Sequence, residues 1–443
     1  MDAGHPQRKN RSRLARESKS DEIFRTLRAF HGPRNLKLEM SNQKSKKQCV
    51  IIVGGGPVGL TAAMLLGHHG IPCLVFDAED SVPHDLRAST FHPPTLDMLD
   101  QFGITPKLIA AGLLAPTWQV RWHTTGEFAE FDLSVLKGHT AHPYRLQCEQ
   151  WRLAEFLIEH IRLHLPCIEI KPGYRVDECR QDDAGVEVFV TGPGGDQQAF
   201  SGDYLIGADG GRSVVRSQLK LEFEGHTFPE TTVLATTSFP FHEHVPNLSF
   251  INYCWKDSGT FSLLRLRDLW RVSLYPRDGE SEQDATSPLS IESKLQEIFQ
   301  KDTAYEVMEI RPYKIHQRVV KSYVHGRMIL AGDAAHINSP SGGMGMNGGI
   351  HDAFNLVDKL QRIYAGESQN LLMLYERQRR PVALKHVLEQ SGRNRARMQE
   401  RDDSKRRHAL TELQRKADDK TLAEAYLLET SMINGLREAA SIE

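Results

Sequence analysis

The fold of this chain is decided at Val50-Ile-Ile-Val-Gly54-Gly-Gly56-Pro-Val-Gly59. The apolar, β-branched start predicts a buried parallel strand, and Leu60 to Gly67 predicts the helix that follows it. Gly54 permits a tight turn, Gly56 lets the backbone approach a pyrophosphate, and Gly59 lets the helix pack closely on the strand. The stretch therefore predicts a βαβ unit whose helix N-terminus faces a phosphate group.

A second predicted strand, Cys73 to Phe76, ends in Asp77. An acidic residue about 20 positions after such a glycine loop can accept hydrogen bonds from the hydroxyls of a ribose. This spacing favours a dinucleotide site over an ordinary glycine turn. It does not distinguish NAD from FAD.

Two later segments have the composition of loops that hold other parts of the same dinucleotide. Gly207-Ala-Asp209-Gly210-Gly-Arg-Ser213-Val-Val-Arg216 follows an apolar run and begins a short helix, which predicts a second wall for the nucleotide. Another apolar run ends in Gly332-Asp333, whose carboxylate suits a flavin ribityl hydroxyl. Gly342-Gly-Met-Gly345-Met-Asn347-Gly348-Gly349 then leads into a helix whose N-terminus can stabilise charge on a reduced flavin. The three segments in this order predict FAD.

Composition narrows the class of protein. The chain has 443 residues, a formal net charge of −2 and six cysteines without C-x-x-C spacing, which argues against a zinc site or a disulfide framework. No apolar run approaches the roughly 18 to 20 residues that span a bilayer. We therefore expect a cytoplasmic protein with no metal, no nucleic-acid partner and no integral membrane segment.

Residues 1 to 47 form a basic leader with thirteen Lys or Arg and five Asp or Glu. The leader lacks the apolar core of a secretory signal, and its acidic residues argue against an organellar transit peptide. It predicts a disordered tail, with nucleic-acid or membrane contact as the alternatives that its charge leaves open.

Together the three segments resemble those of the single-component FAD-dependent aromatic hydroxylases, the family of para-hydroxybenzoate hydroxylase and phenol hydroxylase. The resemblance covers Gln48 to Leu360, and includes the D-G-x-x-S-x-V-R segment at Asp209 and the G-D-A-A-H segment at Gly332. It implies an α/β fold, in which a Rossmann-like FAD-binding domain carries an inserted, mostly antiparallel β-sheet substrate domain and C-terminal helices.

The resemblance also implies domain ranges. We expect a discontinuous FAD-binding domain over 48–112, 146–220 and 312–365, a substrate-binding sheet over 113–145 and 221–311, and C-terminal helices over 366–443. Alternation of apolar and polar residues in Trp118 to Phe131 and in Thr231 to Ser273 supports the sheet.

Residue by residue, the resemblance predicts the FAD contacts. Arg87 corresponds to an arginine at the pyrophosphate, and Gln150 to a glutamine near the adenosine and ribityl portion, with Gln147 as a rival. The family often has arginine where this chain has Pro94. The full set of predicted cofactor contacts is Gly54, Gly56, Val58, Gly59, Asp77, Arg87, Gln150, Asp209, Gly210, Arg216, Gly332, Asp333, Pro340, Gly343, Gly345, Met346 and Asn347.

The implied reaction uses NAD(P)H and O2 to hydroxylate a phenolic or other electron-rich aromatic substrate through a flavin C4a-hydroperoxide. Because a phenolate reacts faster than a phenol, the site needs a group that activates the substrate hydroxyl. The predicted catalytic residues are His92, as a candidate base, and Pro340, which shapes the pocket for oxygen transfer. A packing role is the alternative for His92. Candidate aromatic pocket walls are Trp122, Phe250, Tyr253, Trp255, Phe261 and Trp270.

Other functions are compatible with a flavin fold. A flavin-dependent halogenase usually carries W-x-W-x-I-P, which Trp118-Gln-Val-Arg-Trp122 does not supply. A flavin reductase and a non-catalytic redox sensor are further alternatives. Monomer and homodimer are both left open.

Overall fold

The computed structural model describes residues 49–85 and 88–443. The predicted leader, 1–47, and the predicted pyrophosphate contact Arg87 lie outside the described residues. Among the helices of the described part, none is long and apolar enough to cross a membrane.

The strands, in chain order, are β1 (Val50–Val53), β2 (Cys73–Phe76), β3 (Thr90–Phe91), β4 (Leu113–Ala115), β5 (Thr117–Trp122), β6 (Phe128–Asp132), β7 (Arg145–Gln147), β8 (Ile168–Lys171), β9 (Arg175–Asp182), β10 (Gly185–Thr191), β11 (Gln197–Gly202), β12 (Tyr204–Gly207), β13 (Phe223–Thr237), β14 (Ile251–Lys256), β15 (Gly259–Arg265), β16 (Trp270–Leu274), β17 (Val307–Val320), β18 (Val324–His325), β19 (Met328–Leu330) and β20 (His336–Ile337).

The α-helices are α1 (Pro57–His68), α2 (Pro93–Asp100), α3 (Ile104–Ala111), α4 (Gln150–His164), α5 (Val214–Gln218), α6 (Phe241–His244), α7 (Glu282–Ala285), α8 (Pro288–Gln296), α9 (Gly345–Tyr364), α10 (Leu371–Val382), α11 (Glu389–Gln399), α12 (Asp403–Asp418), α13 (Lys420–Thr430) and α14 (Ile433–Ala440). A π-helical turn, Ala383–Leu388, joins α10 to α11. Short 3₁₀ turns occur at Leu133–Leu136 and Gly332–Ala334.

The nucleotide half is built on a six-stranded sheet in the order β18-β19-β12-β1-β2-β8. β1 is central, pairing in parallel with β12 on one side and β2 on the other. Its residues are all buried, which suits the Val and Ile of a parallel strand that is covered on both faces. α1 packs against α4 and α9. The carboxyl ends of β1, β2, β12 and β19 therefore meet at one edge, where ligands bind in open α/β sheets.

The second half is built on an eight-stranded sheet in the order β20-β17-β13-β16-β15-β14-β5-β6. All neighbours pair antiparallel except β14 and β5. The long strands β13 and β17 pair along their length, and β17 also pairs with β20 next to the nucleotide half. The predicted boundary between 311 and 312 falls inside β17, so this strand belongs to both halves. The domain ranges stay a prediction.

One face of this second sheet is apolar and covered. Side chains of β13 to β16 form a core with residues of α7 and α8, including Phe261, Trp270 and Ile291. The β5–β6 end packs against α12, and the neighbouring turn packs against α13. The opposite face of the sheet is left to line the site.

Candidate functional site

A continuous cavity of about 1780 Å³ joins the two halves of the molecule. It extends from the glycine loop after β1 to the uncovered face of the eight-stranded sheet. Predicted cofactor contacts that line it are Gly54, Gly56, Val58, Asp77, Gln150, Asp209, Gly210, Asp333, Pro340, Gly343, Gly345 and Met346. Four other predicted contacts are not among the lining residues: Gly59, Arg216, Gly332 and Asn347.

The glycines of the first loop meet three different surroundings. Gly54 has φ +106°, and a Cβ there would lie 2.4 Å from the Ala208 carbonyl oxygen. A Cβ on Gly59 would lie 1.9 Å from the Gly54 carbonyl oxygen. A Cβ on Gly56 would meet no described atom within 4 Å and would project into the cavity. Protein packing thus requires glycine at positions 54 and 59, whereas the described residues leave open space for a side chain at Gly56.

The start of α1 suits a phosphate. The helix begins with Pro57, and no side chain of the described residues caps the backbone at Gly56. Its first N–H groups and its dipole therefore point at the cavity. Asp77, at the end of β2, also lines the cavity. Its carboxylate accepts from the backbone N–H of Gly55 and, at 2.8 Å, from that of Glu79, which holds the glycine loop against β2.

Asp209 lines the cavity directly beside this loop, next to Gly54. Its Oδ2 accepts from the backbone N–H groups of Val214 and Val215, at 2.7 and 3.2 Å, and so caps α5. Its Oδ1 is buried and makes no hydrogen bond with the described residues. Burial raises the pKa of this carboxyl. The carboxylate of Asp209 therefore fixes the turn that begins α5, beside the cavity.

Arg216 lies behind that wall rather than in it. Its Nη1 donates to the Ala334 carbonyl at 3.0 Å, and its Nη2 donates to the Gly211 carbonyl at 2.6 Å. The guanidinium also lies over the Phe223 ring, 3.9 Å from the centroid. The structure therefore shows it joining the second motif to the third.

The third motif rests on a buried ion network. Asp352 of α9 accepts from the Gly332 N–H at 3.1 Å, from His336 Nε2 at 2.7 Å and from Arg379 Nε at 2.7 Å. Burial raises the pKa of Asp352, but the Arg379 guanidinium and the interaction with His336 outweigh burial and lower the pKa to about 2. This network holds the turn that presents Asp333, an exposed carboxylate, to the cavity.

Asn347 and His92 together brace the glycine-rich loop. Asn347 donates from Nδ2 to the carbonyls of Thr90 and Gly343, at 2.8 and 2.7 Å, and accepts from the His92 N–H at 2.9 Å. His92 Nε2 donates to the Gly342 carbonyl at 2.8 Å. His92 is fully buried and does not line the cavity, and burial lowers the pKa of its ring well below the usual range. These contacts support a positioning role for His92, and its role as base stays an untested prediction.

The two candidate glutamines are separated by the structure. Gln150 begins α4 and lines the cavity. Gln147 is buried and accepts from Thr90 Oγ1 at 3.1 Å. Pro94 lies in the first turn of α2, which starts at Pro93.

The sheet end of the cavity is a row of paired residues. Tyr253 is opposite Ser262, Ser262 is opposite Ser273, Ser273 is opposite Leu234, and Leu234 is opposite Arg311. Paired residues share one face of a sheet, so these five strands present one surface. Arg271, Tyr275 and Tyr313 belong to the same lining.

Most of the predicted aromatic walls face elsewhere. Tyr253 lines the cavity, whereas Phe261 and Trp270 point to the opposite face and Trp122 packs edge-on against Trp255 in a separate core. Phe250 is partly buried against that second core. The sequence of β16, Trp270-Arg-Val-Ser-Leu274, contained a signal for the residues that face the cavity. Side chains alternate between the two faces of a strand, so Arg271 and Ser273 lie on the face opposite to that of Trp270.

Comparison with known proteins identifies the family. The family model for the FAD binding domain matches residues 47–390. The chain is also 33% identical over 397 residues to para-nitrophenol 4-monooxygenase of Pseudomonas sp. strain WBC-3, a match that covers 88% of this chain and 96% of that protein. This chain belongs to the FAD-dependent aromatic monooxygenases.

Two more members of this family are similar over most of their length. One is 6-hydroxy-3-succinoylpyridine 3-monooxygenase HspB of Pseudomonas putida strain S16, 36% identical over 345 residues that cover 76% of this chain and 85% of the relative. The crystal structure of p-nitrophenol 4-monooxygenase PnpA from Pseudomonas putida DLL-E4 superposes with a TM-score of 0.81 at 30% identity, covering 88% of this chain and 98% of that one. The expected family, α/β fold class and FAD cofactor are confirmed.

The nucleotide half fits FAD on its own geometry. Gly56 leaves space beside a helix N-terminus, and Asp77, Asp209 and Asp333 present carboxylates along the same cavity. When bound, the flavin supplies the activation of oxygen, and the protein orients the substrate and excludes water. The assignment of individual residues to parts of FAD stays a prediction.

Proposed function

We propose that this protein hydroxylates a para-substituted phenol, with NAD(P)H as the electron donor and O2 as the oxygen source. The observation that carries the proposal is the continuity of the large cavity, because it connects the glycine loop after β1 to a polar sheet face. A substrate on that face would lie in the same cavity as the loop from Pro340 to Gly343, which contains predicted flavin contacts. One atom of O2 would enter the ring and the other would leave as water, with two electrons from NAD(P)H.

The names of two relatives support the para position. Position 4 of para-nitrophenol bears the nitro group and is opposite the hydroxyl. Position 3 of 6-hydroxy-3-succinoylpyridine bears the succinoyl group and is also opposite the hydroxyl. We propose that this chain likewise attacks a ring carbon that is para to a hydroxyl and already carries a substituent. With a nitro or halogen substituent, the bond from that carbon would then break, the substituent would leave with the electron pair as nitrite or halide, and the ring would be left as a quinone.

The protein's own contribution is to hold and activate the phenol. Pro340 and Gly343, both predicted flavin contacts, line the same cavity as the sheet, where Tyr253, Ser262 and Ser273 offer hydroxyl groups that can position a ring. His92 is placed to hold the loop rather than to take a proton from a substrate. We therefore assign activation of the substrate hydroxyl to groups on the sheet.

We propose a cytoplasmic location for the reaction. None of the six cysteines forms a disulfide in the part of the chain that the structure describes, which supports a reducing compartment.

The test is a panel of para-substituted phenols given to the purified holoenzyme. We expect the right phenol to stimulate NADH or NADPH oxidation and to yield a product with one atom from ¹⁸O2, measured by mass spectrometry. Release of nitrite or halide from nitro- and halophenols would report attack at the substituted carbon. Oxidation that yields hydrogen peroxide alone with every phenol would overturn the proposal and favour a reductase, and halogenated products would favour a halogenase.

A further inference from the structure

The loop from Pro340 to Gly343 forms a tight turn beside the cavity. The Gly343 N–H donates to the Pro340 carbonyl at 2.9 Å, and the third residue of the turn, Gly342, has φ +104°. A positive φ at the third residue alone is the mark of a type II turn, and glycine adopts it most readily. Type I and type II turns differ by a rotation of the central peptide through roughly half a turn. Here that peptide joins Ser341 to Gly342.

The carbonyls of this turn are held from different parts of the chain. The two later ones accept from groups of α9 and of the segment before α2. The Ser341 carbonyl, which belongs to the central peptide, accepts from Nδ2 of Asn394 on α11 at 3.3 Å. The same Nδ2 lies 2.8 Å from the position that a Cβ on Gly342 would occupy. Asn394 therefore contacts the one peptide whose orientation differs between the two turn types.

Two further side chains of α11 fix the orientation of the Asn394 amide. Its Oδ1 accepts from Gln390 Nε2 at 3.0 Å, and Gln390 Oε1 accepts from Arg393 Nη2 at 2.7 Å. Because a guanidinium can only donate, Arg393 determines which end of the Gln390 amide is the acceptor. Gln390 in turn determines that Asn394 directs its NH2 group toward Ser341. Three hydrogen bonds thus connect an exposed charge to the central peptide of the turn.

This relay opposes a rotation of the central peptide. In the rotated turn, the Ser341 carbonyl would leave Asn394 and the Gly342 N–H would face the NH2 group, so that two donors would meet. The rotation would also reverse the dipole of a peptide that borders the cavity, since Ser341 is one of the lining residues. Fixed dipoles beside a reaction that develops charge contribute strongly to catalysis. The orientation of this one peptide should therefore matter to the chemistry.

We infer that Asn394 is a positioning residue, which keeps the Pro340–Gly343 turn in its type II form and so keeps oxygen transfer coupled to NAD(P)H oxidation. It acts through the turn, because Asn394 is not among the residues that line the large cavity. The family model ends at residue 390, so Asn394 lies beyond the segment that it matches. This role rests on the proposed function only where coupling is measured, because that measurement needs a phenol.

The direct test is the conformation of the turn in crystal structures of the FAD-loaded parent and of Asn394→Asp. The carboxylate has the shape of the amide but places an acceptor against the Ser341 carbonyl. We expect the central peptide to rotate, so that the Gly342 N–H donates to the new carboxylate. An unrotated peptide, or a rotated one in an enzyme with the coupling of the parent, would overturn the inference.

In solution, the readout is the share of NAD(P)H oxidation that yields hydrogen peroxide, measured with a phenol that the parent hydroxylates. Asn394→Asp should raise this share by about fivefold, the effect of one hydrogen bond between uncharged groups, and should alter the absorbance spectrum of the bound flavin. The KM for the phenol should stay within about twofold. Asn394→Leu should have a smaller effect, because it removes the preference for one orientation without reversing it.

Arg393→Met tests the relay from its exposed end. Without the guanidinium, the Gln390 amide can turn over, so we expect the same changes as in Asn394→Asp at a smaller size, about twofold. Glu389→Gln is the control for a lost charge, because it removes the carboxylate 3.5 Å from Arg393 and leaves the relay intact. It should behave as the parent does.

Asn355→Asp is the matched control for the buried substitution. Asn355 of α9 donates to Gln378 Oε1 at 3.0 Å, and Gln378 is itself fixed by donating to the Ile442 carbonyl at 2.7 Å. The pair repeats the amide chemistry, and neither residue lines the cavity. Asn355→Asp should lose a similar amount of stability and keep the coupling of the parent. An equal rise in peroxide in both aspartate variants would leave Asn394 with a structural role only.

The outcomes separate the two proposals. A rotated turn in Asn394→Asp, with no phenol hydroxylated by the parent, would support the contact that selects the turn and overturn the proposed function. Hydroxylation by the parent, with an unrotated turn in Asn394→Asp, would overturn the role of Asn394 alone. If Asn394→Asp does not fold, as judged by its flavin content and melting temperature, the exposed pair Arg393→Met and Glu389→Gln decides.

Discussion

The two walls of the cavity are built on opposite principles. The nucleotide wall consists mostly of backbone, with a glycine whose Cβ would enter the cavity and a helix that starts beside it. The sheet wall consists of side chains from five strands, with tyrosines, serines and arginines in one row. The nucleotide wall offers mainly backbone and the open space beside Gly56, whereas the sheet wall offers mainly side chains. We therefore expect an added side chain to be the most damaging change in the first wall and a truncated one in the second.

The sharpest test of the nucleotide wall compares Gly59→Val with Gly56→Val. A side chain at position 59 would meet the Gly54 carbonyl. We therefore expect Gly59→Val to lower the free energy of unfolding by more than the roughly 1–3 kcal/mol that overpacking a core costs, which would be seen as insoluble or unfolded protein. Gly56 has φ −78° and ψ −177°, which valine adopts readily. Gly56→Val should therefore fold with an unchanged apoprotein melting temperature and bind no FAD. Full flavin occupancy in Gly56→Val would show that FAD does not need the space beside Gly56.

On the sheet wall, the corresponding pair is Trp270→Ala and Tyr253→Phe. Trp270 is buried on the covered face, and its truncation should lower the free energy of unfolding by about 3–5 kcal/mol. Tyr253→Phe should cost about 1 kcal/mol, for the hydrogen bond between its hydroxyl and Arg145, and should mainly raise KM for the phenol, because Tyr253 lines the cavity. Denaturant unfolding and steady-state kinetics measure the two effects. A KM effect in Trp270→Ala as large as that in Tyr253→Phe would argue against two distinct faces.

A third prediction concerns Asp333, an exposed residue that lines the nucleotide end of the cavity. Asp333→Ala should weaken FAD binding by about ten- to hundredfold, equivalent to roughly 1.5–3 kcal/mol for a charge-assisted hydrogen bond. Asp268→Ala, on an exposed turn between β15 and β16, is the charge-matched control. The dissociation constant for FAD, from flavin fluorescence titration of the apoprotein, checks both. Equal constants for the two variants would place Asp333 outside the flavin contacts.

The smallest expected effect is that of His92→Gln. An amide can still donate to the Gly342 carbonyl, so at pH 8 we expect a loss of about 1 kcal/mol in stability and unchanged coupling of NAD(P)H oxidation to hydroxylation.

The pH dependence of the free energy of unfolding tests whether His92 is buried as a neutral ring. Because burial lowers its pKa in the folded protein, the unfolded chain takes up the proton first, and the parent should lose stability as pH falls below about 6.5. His92→Gln should show a flatter profile over the same range. Uncoupled peroxide formation from pH 6 to 9 in a variant that folds normally would instead restore His92 as the base.

The sequence alone was sufficient to predict the family, the cofactor and the positions of the loops in the nucleotide wall. Those loops depend on local backbone conformation, which short contiguous motifs specify, as in the run from Gly54 to Gly59. It was also sufficient to expect an antiparallel second sheet, since strand alternation is local as well.

Only the tertiary structure decided which side chains reach the cavity. In β16, Trp270 and Arg271 are adjacent and equally strand-like, and long-range packing against α8 decides that the tryptophan is covered and the arginine faces the site. The same holds for His92, whose partners Gly342 and Asn347 lie about 250 residues away in sequence. A motif determines the conformation of its own backbone, but the face of a strand and the partners of a buried ring depend on segments far along the chain, and these meet only after folding.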